Sequence, residues 1–479
     1  MKKNLLLAGL MISGFGAVTV AQTKVYTSEE LGEVGKVSDN GKYVAITDVD
    51  NNIAYLWSSE TGEFIDISAP LGDPSTTPSA QCVAGSTAID VADNGMVVGS
   101  VMFRDGRQIP AYYIDDEWYF LELHPGAQSS NGAIAVTPDG SVIAGYQFIN
   151  DPTSAIGGRF YPVQWKLVDG EYEMHAYVDI ELPNHQGFYP YAQSNDGRVV
   201  AGTIFAGVAS TVPGLIVDGQ LKTFDTFETK TEPWMFKGKW YCGTDENGKQ
   251  IWTDDPDDPR IVLFTEYYIN GFHDTGESSL TGSLVNCDSE GHYYGMRTVV
   301  TDVDEYGDAT LTDGAAIYDI NTDEWTYDTS YQGFAAGLNN NFVLTNSSTI
   351  IVDGEANSVF DEFDFKTERS LAYLASYSAD GKVIGGMTYE VHPGTGEQMY
   401  YPIVLVLDRA LTGIQSVTGG GQGNPYVIVS SGHIDIVEAS SIAVYDINGH
   451  LVGSTSTVAV APGVYIVKAD NLTTKVVVK

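Results

Sequence analysis

Ser194-Asn195-Asp196-Gly197-Arg198-Val199-Val200-Ala201-Gly202 is the stretch on which the reading of this chain turns. Asp-Gly tolerates positive φ and closes a tight turn. The short Val/Ile run that ends in glycine suits a buried inner strand that neighbouring backbones approach closely. The same unit appears as Ser38-Asp39-Asn40-Gly41 before Tyr43-Val44-Ala45-Ile46, and as Ala92-Asp93-Asn94-Gly95 before Met96-Val97-Val98-Gly99. Thr137-Pro138-Asp139-Gly140, Asp288-Ser289-Glu290-Gly291, the degenerate Leu338-Asn339-Asn340-Asn341 and Ser378-Ala379-Asp380-Gly381 complete the series. A second, outer hairpin follows in each unit, as in Ala54-Tyr55-Leu56-Trp57 to Gly62, so each unit holds enough strand for a four-stranded sheet.

The turn positions lie at 41, 95, 140, 197, 291, 341 and 381, in steps of 54, 45, 57, 94, 50 and 40 residues. Propeller repeats run roughly 40 to 50 residues, so every step except the one of 94 fits a single blade. No segment sustains a helical period, and an all-β chain is expected. The favoured architecture is a seven-bladed β-propeller over residues 22–412 with an insertion at about 225–280. An eighth blade around Gly248 and a tandem of β-sandwiches are the alternatives. The repeats resemble those of exported bacterial β-propeller proteins. They lack the Trp-Asp dipeptide of WD40 repeats and the spacing of sialidase Asp-boxes. That resemblance implies architecture only, since propellers host binding proteins, hydrolases and lyases alike.

Both ends of the chain read as addresses. Lys2 and Lys3 precede the apolar run Leu5 to Val20, and Ala17-Val18-Thr19-Val20-Ala21 offers small residues at the cleavage positions, which predicts a signal peptide over 1–21. No later apolar stretch approaches the roughly 18 residues of a membrane span. After the Gly-rich linker 413–425, residues 426–479 read as short strands: Tyr426 to Val429, Ser441 to Asp446, Gly463 to Lys468 and Lys475 to Lys479. This order resembles the type A C-terminal sorting domain of the type IX secretion system of Bacteroidota. Tyr445, Asp446 and Gly449 match its Tyr-Asp-x-x-Gly-x-x-Val hairpin, Gly463, Tyr465, Val467 and Lys468 its Gly-x-Tyr strand, and Lys475 and Lys479 its basic terminus. His450 stands where Arg or Lys is usual. The resemblance implies a small β-sandwich, the type IX machinery as partner, and a secreted or cell-surface (outer-membrane) destination.

The chain has 24 basic and 63 acidic residues, a net charge of −39; loss of Lys2 and Lys3 with the signal leaves −41. A surface of that sign repels polyanions, which makes nucleic acid a poor partner and leaves divalent cations or basic ligands as candidates beside plain solvation. Cys82, Cys242 and Cys287 allow one disulfide or none, with Cys242–Cys287 the candidate pair. The sequence contains no His-Glu-x-x-His and no Gly-x-Ser-x-Gly elbow. Gly243 to Gln250 has Walker A glycine spacing, but Gln250 replaces the magnesium-binding hydroxyl, so a hairpin turn is expected.

Two groups of residues are candidates for a site. Asp302, Asp304 and Asp308 alternate in an acidic loop with Gly307 at the sixth position, as a calcium loop would, although Tyr306 and Asp313 depart from the EF-hand pattern. Asp48 to Asn52 is a shorter version; both also read as acidic hairpin turns. Calcium is thus the one candidate ion, and no other cofactor is implied. Trp234, Trp240, Tyr241 and Trp252 crowd into the insertion, where indole faces can stack on sugars or grip a peptide, or can bury the insertion's own hairpin. The leading expectation is an exported, non-enzymatic propeller that binds an extracellular glycan or peptide. A propeller hydrolase or lyase acting on polysaccharide or peptide and a structural or adhesive surface protein are the alternatives.

Overall fold

The computed structural model describes residues 23–479 except 152–153, 155–156, 181–184, 207–209, 246–247, 274–279, 304–308, 339–341, 353, 364, 409, 412–416, 419–425, 431–432, 438, 440, 448, 462, 471 and 479. The signal-peptide expectation at 1–21 therefore lies outside the described residues. The fold is all-β and built of many small sheets, with Val359–Phe363 the one α-helix among the described residues. It divides into two compact units, one of Thr23–Phe360 and Phe365–Leu407, the other holding Asp361–Asp364 and Asp408–Lys479.

In the larger unit all the described strands outside residues 227–273 form seven antiparallel groups of four. The first is Glu33–Val37, Tyr43–Asp48, Ile53–Ser58 and Phe64–Asp66; the second Val83–Val91, Val97–Phe103, Gln108–Ile114 and Glu117–Phe120. The third is Ala127–Val136, Val142–Asn150, Gly158–Val168 and Glu171–Ala176; the fourth His185–Gln193, Val199–Ala206, Ser210–Val217 and Gln220–Thr223, and one parallel bridge from Phe160 to Gly187 joins these two. The fifth runs Gly282–Cys287, His292–Val303, Ala309–Asp319 and Glu324–Asp328, and the sixth Phe334–Leu338, Phe342–Thr345, Thr349–Val352 and Glu355–Ser358. The seventh combines Ser370–Tyr377, Val383–Val391 and Gln398–Leu407 with Thr23–Thr27 from the other end of the unit. The first strand of each group lies against the first strand of the next, and that of the seventh against that of the first. The inner strands thus close a ring.

Those innermost strands are the ones that precede the Asp-Gly turns. The Val/Ile-Gly strand, expected to be inner, stands second in each group. Its glycine has a steric reason. A Cβ on Gly99 would lie 1.9 Å from Thr87 O, and one on Gly295 1.9 Å from Ser283 O. The inner strand is bulged opposite each of them, between Ala88 and Asp90 and between Leu284 and Asn286, which presses its backbone onto the second strand.

The turns share a side-chain lock as well as a glycine. In four of them a hydroxyl five residues before the start of the second strand, on Ser38, Thr137, Ser194 or Ser378, donates to Asn40, Asp139, Asp196 or Asp380 at 2.7 to 3.0 Å. The same hydroxyl accepts the N–H of Tyr43, Val142, Val199 or Val383. In the fifth group Asp288 takes the hydroxyl's place and accepts His292 N–H at 3.0 Å. Between groups, side chains fill the wedge: Trp165 with Met96 and Val98, Trp57 with Val383 and Val404, and Tyr293 and Tyr318 with Leu215.

The smaller unit holds two four-stranded sheets. One is Val417–Thr418, Tyr426–Ser430, His433–Val437 and Thr457–Ala459; the other Leu451–Gly453, Ile442–Asp446, Gly463–Ala469 and Leu472–Val478. Ile434, Ile436, Val444, Val458, Tyr465, Val467, Ala469 and Val476 form a core common to both.

Two substitutions test these local reasons. Gly99→Ala forces Cβ into a backbone oxygen that cannot rotate away and is expected to destabilise the protein by about 3 kcal/mol. Ser378→Ala removes both bonds of a buried hydroxyl and is expected to remove about 2 kcal/mol. Urea midpoints of the purified protein check both, and a Gly99→Ala midpoint equal to the parent would refute the close-approach account.

Candidate functional site

Between the fourth and fifth groups the chain makes two three-stranded sheets. Phe227–Pro233, Leu263–Ile269 and Phe272–His273 form one, and Met235–Phe236, Lys239–Thr244 and Gln250–Thr253 the other. Their root is tied to the ring. Ile269, with Phe227 beside it, packs into the core around Phe188 and Ile204. Arg297 Nη2 and Asn270 Nδ2 each donate to Asp225 Oδ1 at 2.6 Å.

Antiparallel register puts Tyr241 opposite Trp252 and Phe236 opposite Lys239, so these four share one face of the ribbon. Trp234 joins them from the crossing between the sheets. Its ring lies 5.0 Å from Trp252 and 5.1 Å from Tyr241, while Tyr241 lies 5.4 Å from Trp252 and 5.9 Å from Phe264. Three of the four aromatics picked out in the sequence therefore meet. Trp240 does not, because strand alternation turns it to the opposite face with Met235 and Thr253. Phe236 and Phe264 were missed; the period of two through Met235–Phe236 and Lys239–Thr244 carried the signal for Phe236, whereas Phe264 belongs to Leu263–Ile269 in the neighbouring sheet. The cluster remains in solvent: Trp234 is 43%, Phe236 55% and Phe264 38% exposed.

The inner ring creates a second candidate site, and this one is polar. Lys36, Asp90, Gln193, Asn286, Cys287 and Tyr377, from five different groups, line one cavity. Lys36 reaches from the first group to donate to Val285 O of the fifth at 3.1 Å. Asp90 accepts the N–H groups of Val91 at 2.7 Å and Val136 at 2.9 Å. Burial pushes its carboxyl up to about 6, against the pull of the Val136 N–H and the Lys36 ammonium. Burial lowers the Lys36 ammonium in turn, with Asp90 opposing, and raises the Cys287 thiol to about 12. Cys287 Sγ donates to Gln193 O at 3.2 Å. All three cysteines are free, so the expected Cys242–Cys287 bridge is not made: Cys287 sits in an innermost strand and Cys242 in the insertion.

The acidic candidates behave as hairpins where they are described. Asp302 pairs with Thr310 in the ladder and is exposed; Asp304 and Asp308 lie outside the described residues. Asp48 Oδ1 accepts the N–H groups of Asp50 and Asn51, each at 3.1 Å, which closes that turn internally. Gly243 to Gln250 is likewise a hairpin, with Asp245 N donating to Lys249 O at 2.9 Å. Among the described residues no cluster of three or more His, Cys, Asp or Glu could hold a metal ion, and no helix is long and apolar enough to cross a membrane.

In the smaller unit Asp446 accepts His450 N–H at 2.9 Å and lies 3.0 Å from its Nδ1, across a turn that Gly449 closes at φ 84°. Tyr465 O–H donates to Ala461 O at 2.8 Å, Val467 is buried, and Lys468 Nζ lies 5.5 Å from the Tyr445 ring. Gly463 opens the strand Gly463–Ala469; Lys475 lies in Leu472–Val478, opposite Ile466; Lys479 is outside the described residues.

No protein-family model matches the chain, and no curated protein matches it. Solved structures of similar outline include an oligogalacturonate lyase from Vibrio parahaemolyticus at 9% identity and TM-score 0.32, covering 80% of this chain and 97% of that one. The polysaccharide lyase Uly1 follows at 9% identity and TM-score 0.44, with coverage of 81% and 100%. TolB from Acinetobacter baumannii gives 13% identity and TM-score 0.23, with 79% of each chain covered. Likenesses this distant carry no argument about what the chain does.

The cavity acid sets a pH dependence. With its folded pKa raised above the unfolded value, Asp90 contributes stability that is present at low pH and lost as pH rises through about 6. Asp90→Asn removes that component. The melting temperature of the variant relative to the parent is expected to rise between about pH 4.5 and pH 7; a constant difference across that range would show that Asp90 titrates as an ordinary carboxyl.

Proposed function

We propose that the chain is an exported, seven-bladed β-propeller that binds an extracellular glycan or peptide through its insertion, and that the smaller unit is a β-sandwich sorting domain for type IX secretion. The propeller reading draws on the closed ring of inner strands, with each four-stranded group as a blade and Thr23–Thr27 completing the seventh. The binding reading rests above all on one observation: Trp234, Tyr241 and Trp252 lie in ring contact on a ribbon outside the seven groups, with Trp234 and Phe236 open to solvent. Contiguous exposed apolar surface of this kind marks interaction sites, and aromatic rings supply rigid contact area to sugars and peptides. A hydrolase or lyase has a separate support, the raised carboxyl of Asp90 beside Lys36 in the cavity.

Export follows from the two terminal signals. The residues matching the sorting hairpin form a closed turn held by Asp446 and His450, which stands where Arg or Lys is usual.

A glycan and peptide array screen of residues 22–412, with the supernatants assayed for cleavage products, is expected to give binding without turnover, weakened at least about tenfold by Trp252→Ala. Released products would replace the binding reading with the enzymatic one. Deleting residues 413–479 is expected to leave the body in the periplasm; undiminished display at the cell surface would end the sorting proposal.

A further inference from the structure

The ribbon's aromatic face borders charged groups of both signs, and their placement says what chemistry covers it. Lysines of the insertion already lie on its rings: Lys237 Nζ is 5.1 Å from the Phe236 centroid and Lys230 Nζ 3.8 Å from that of Tyr268. Ring faces attract ammonium and guanidinium groups through their quadrupole. Asp254, Asp255 and Asp257 follow Trp252 within five residues on an exposed turn, and Arg260 Nη2 binds the next acid of that turn, Asp258 Oδ2, at 2.7 Å. The turn is therefore suited to cationic side chains. The whole chain carries −39, a field that repels a second copy, an acidic polysaccharide or an acidic peptide and draws in cations. Lys239 shares the ring face with Tyr241 and Trp252, so a ligand with a cation at every position would meet repulsion, whereas one with cations spaced apart would not.

We propose that this face docks an extended peptide whose alternate side chains are lysine or arginine, their cationic heads over Trp234 and Trp252 and toward Asp254, Asp255 and Asp257. The proposal rests on the insertion being the ligand-binding element. It narrows the ligand from a glycan or peptide to a basic peptide. An extended strand presents every second side chain to one face, and that spacing carries cations past Lys239.

The test is calorimetric titration of the full chain from residue 22 with four probes: capped octapeptides of alternating Lys-Thr, Gln-Thr and Glu-Thr, and a neutral β-glucan hexasaccharide. The Lys-Thr peptide is expected to bind at least about tenfold tighter than the Gln-Thr peptide, and the Glu-Thr peptide not at all. Trp234→Ala and Trp252→Ala are each expected to weaken it about tenfold, and the triple change Asp254→Asn, Asp255→Asn, Asp257→Asn about fivefold, with affinity falling as salt rises. The triple change lies on an exposed turn and serves where a tryptophan variant fails to fold. Equal affinity for the Lys-Thr and Gln-Thr peptides overturns the proposal. Ring-dependent binding of the hexasaccharide without the peptide overturns it too while leaving the insertion as the binding element; no ring-dependent binding of any probe removes both. A dimer in sedimentation that Phe236→Ser abolishes would assign the face to a second copy and also overturn it.

Discussion

The larger unit depends on one strand pairing. Thr23 to Thr27 pair with Leu407 to Ile403, so the start of the unit supplies the outer strand of its last group. Closing so long a loop is entropically unfavourable, yet the penalty grows only with the logarithm of length, and the return is large. The pairing covers the edge of Gln398–Leu407, which would otherwise offer a row of unpaired backbone groups. It also holds the first and seventh groups together, so that Val34, Val44 and Trp57 can share a core with Val383 and Val404. With that wedge opened, the ring of inner strands would lose its closure, and with it the cavity that Lys36 spans.

Much of this was legible because the repeat is local. A turn needing positive φ, a hydroxyl three residues ahead of its glycine and a β-branched run behind it all fall within one short window, and the seven groups follow from repetition. The order of strands within a group was not legible. Both strands flanking the turn are apolar, and only the bulge that pushes Thr87 O toward Gly99 distinguishes the ring-facing strand from the next. Nor could the cavity be read. Lys36, Asp90 and Cys287 are ordinary singletons in sequence and meet only once the ring closes. The proposed pairing of Cys242 with Cys287 failed for the complementary reason, since spacing carries no information on which layer a cysteine enters. Within the insertion, proximity in sequence found the aromatic cluster but overstated it by Trp240, where the period of two had the deciding vote.

The excess of acids also changes meaning once their partners are known. Asp139, Asp196 and Asp380 each take a hydroxyl proton and a backbone N–H within a turn. Asp93 accepts Asn40 N–H at 2.8 Å from the neighbouring turn, and Asp39 accepts a bond from Asn195 across the ring. These carboxylates do structural work that a carboxylate does well, accepting the hydroxyl, amide or N–H donors that tight turns leave over. An abundance of acids in such a fold is therefore weak support for a cation site, and the shorter candidate, Asp48 to Asn52, belongs with these turns, since Asp48 accepts the N–H groups of Asp50 and Asn51.

The same accounting separates the two candidate sites. In the cavity the strong groups are already engaged by the fold itself: Lys36 with Val285 O, Asp90 with two backbone N–H groups, Cys287 with Gln193 O. A ligand entering there would have to displace native bonds, and the gain on binding would be reduced by what it broke. On the ribbon the rings touch one another but keep exposed faces, and the acids beside them lie on a solvent-exposed turn. Binding over Trp234 and Trp252 leaves the hydrogen bonds of the ring in place, although Lys237 already lies on the Phe236 ring beside them. The root at Asp225, held by Arg297 and Asn270, ties the neighbouring sheet of the insertion to the ring, and Trp234 passes from that sheet into the ribbon.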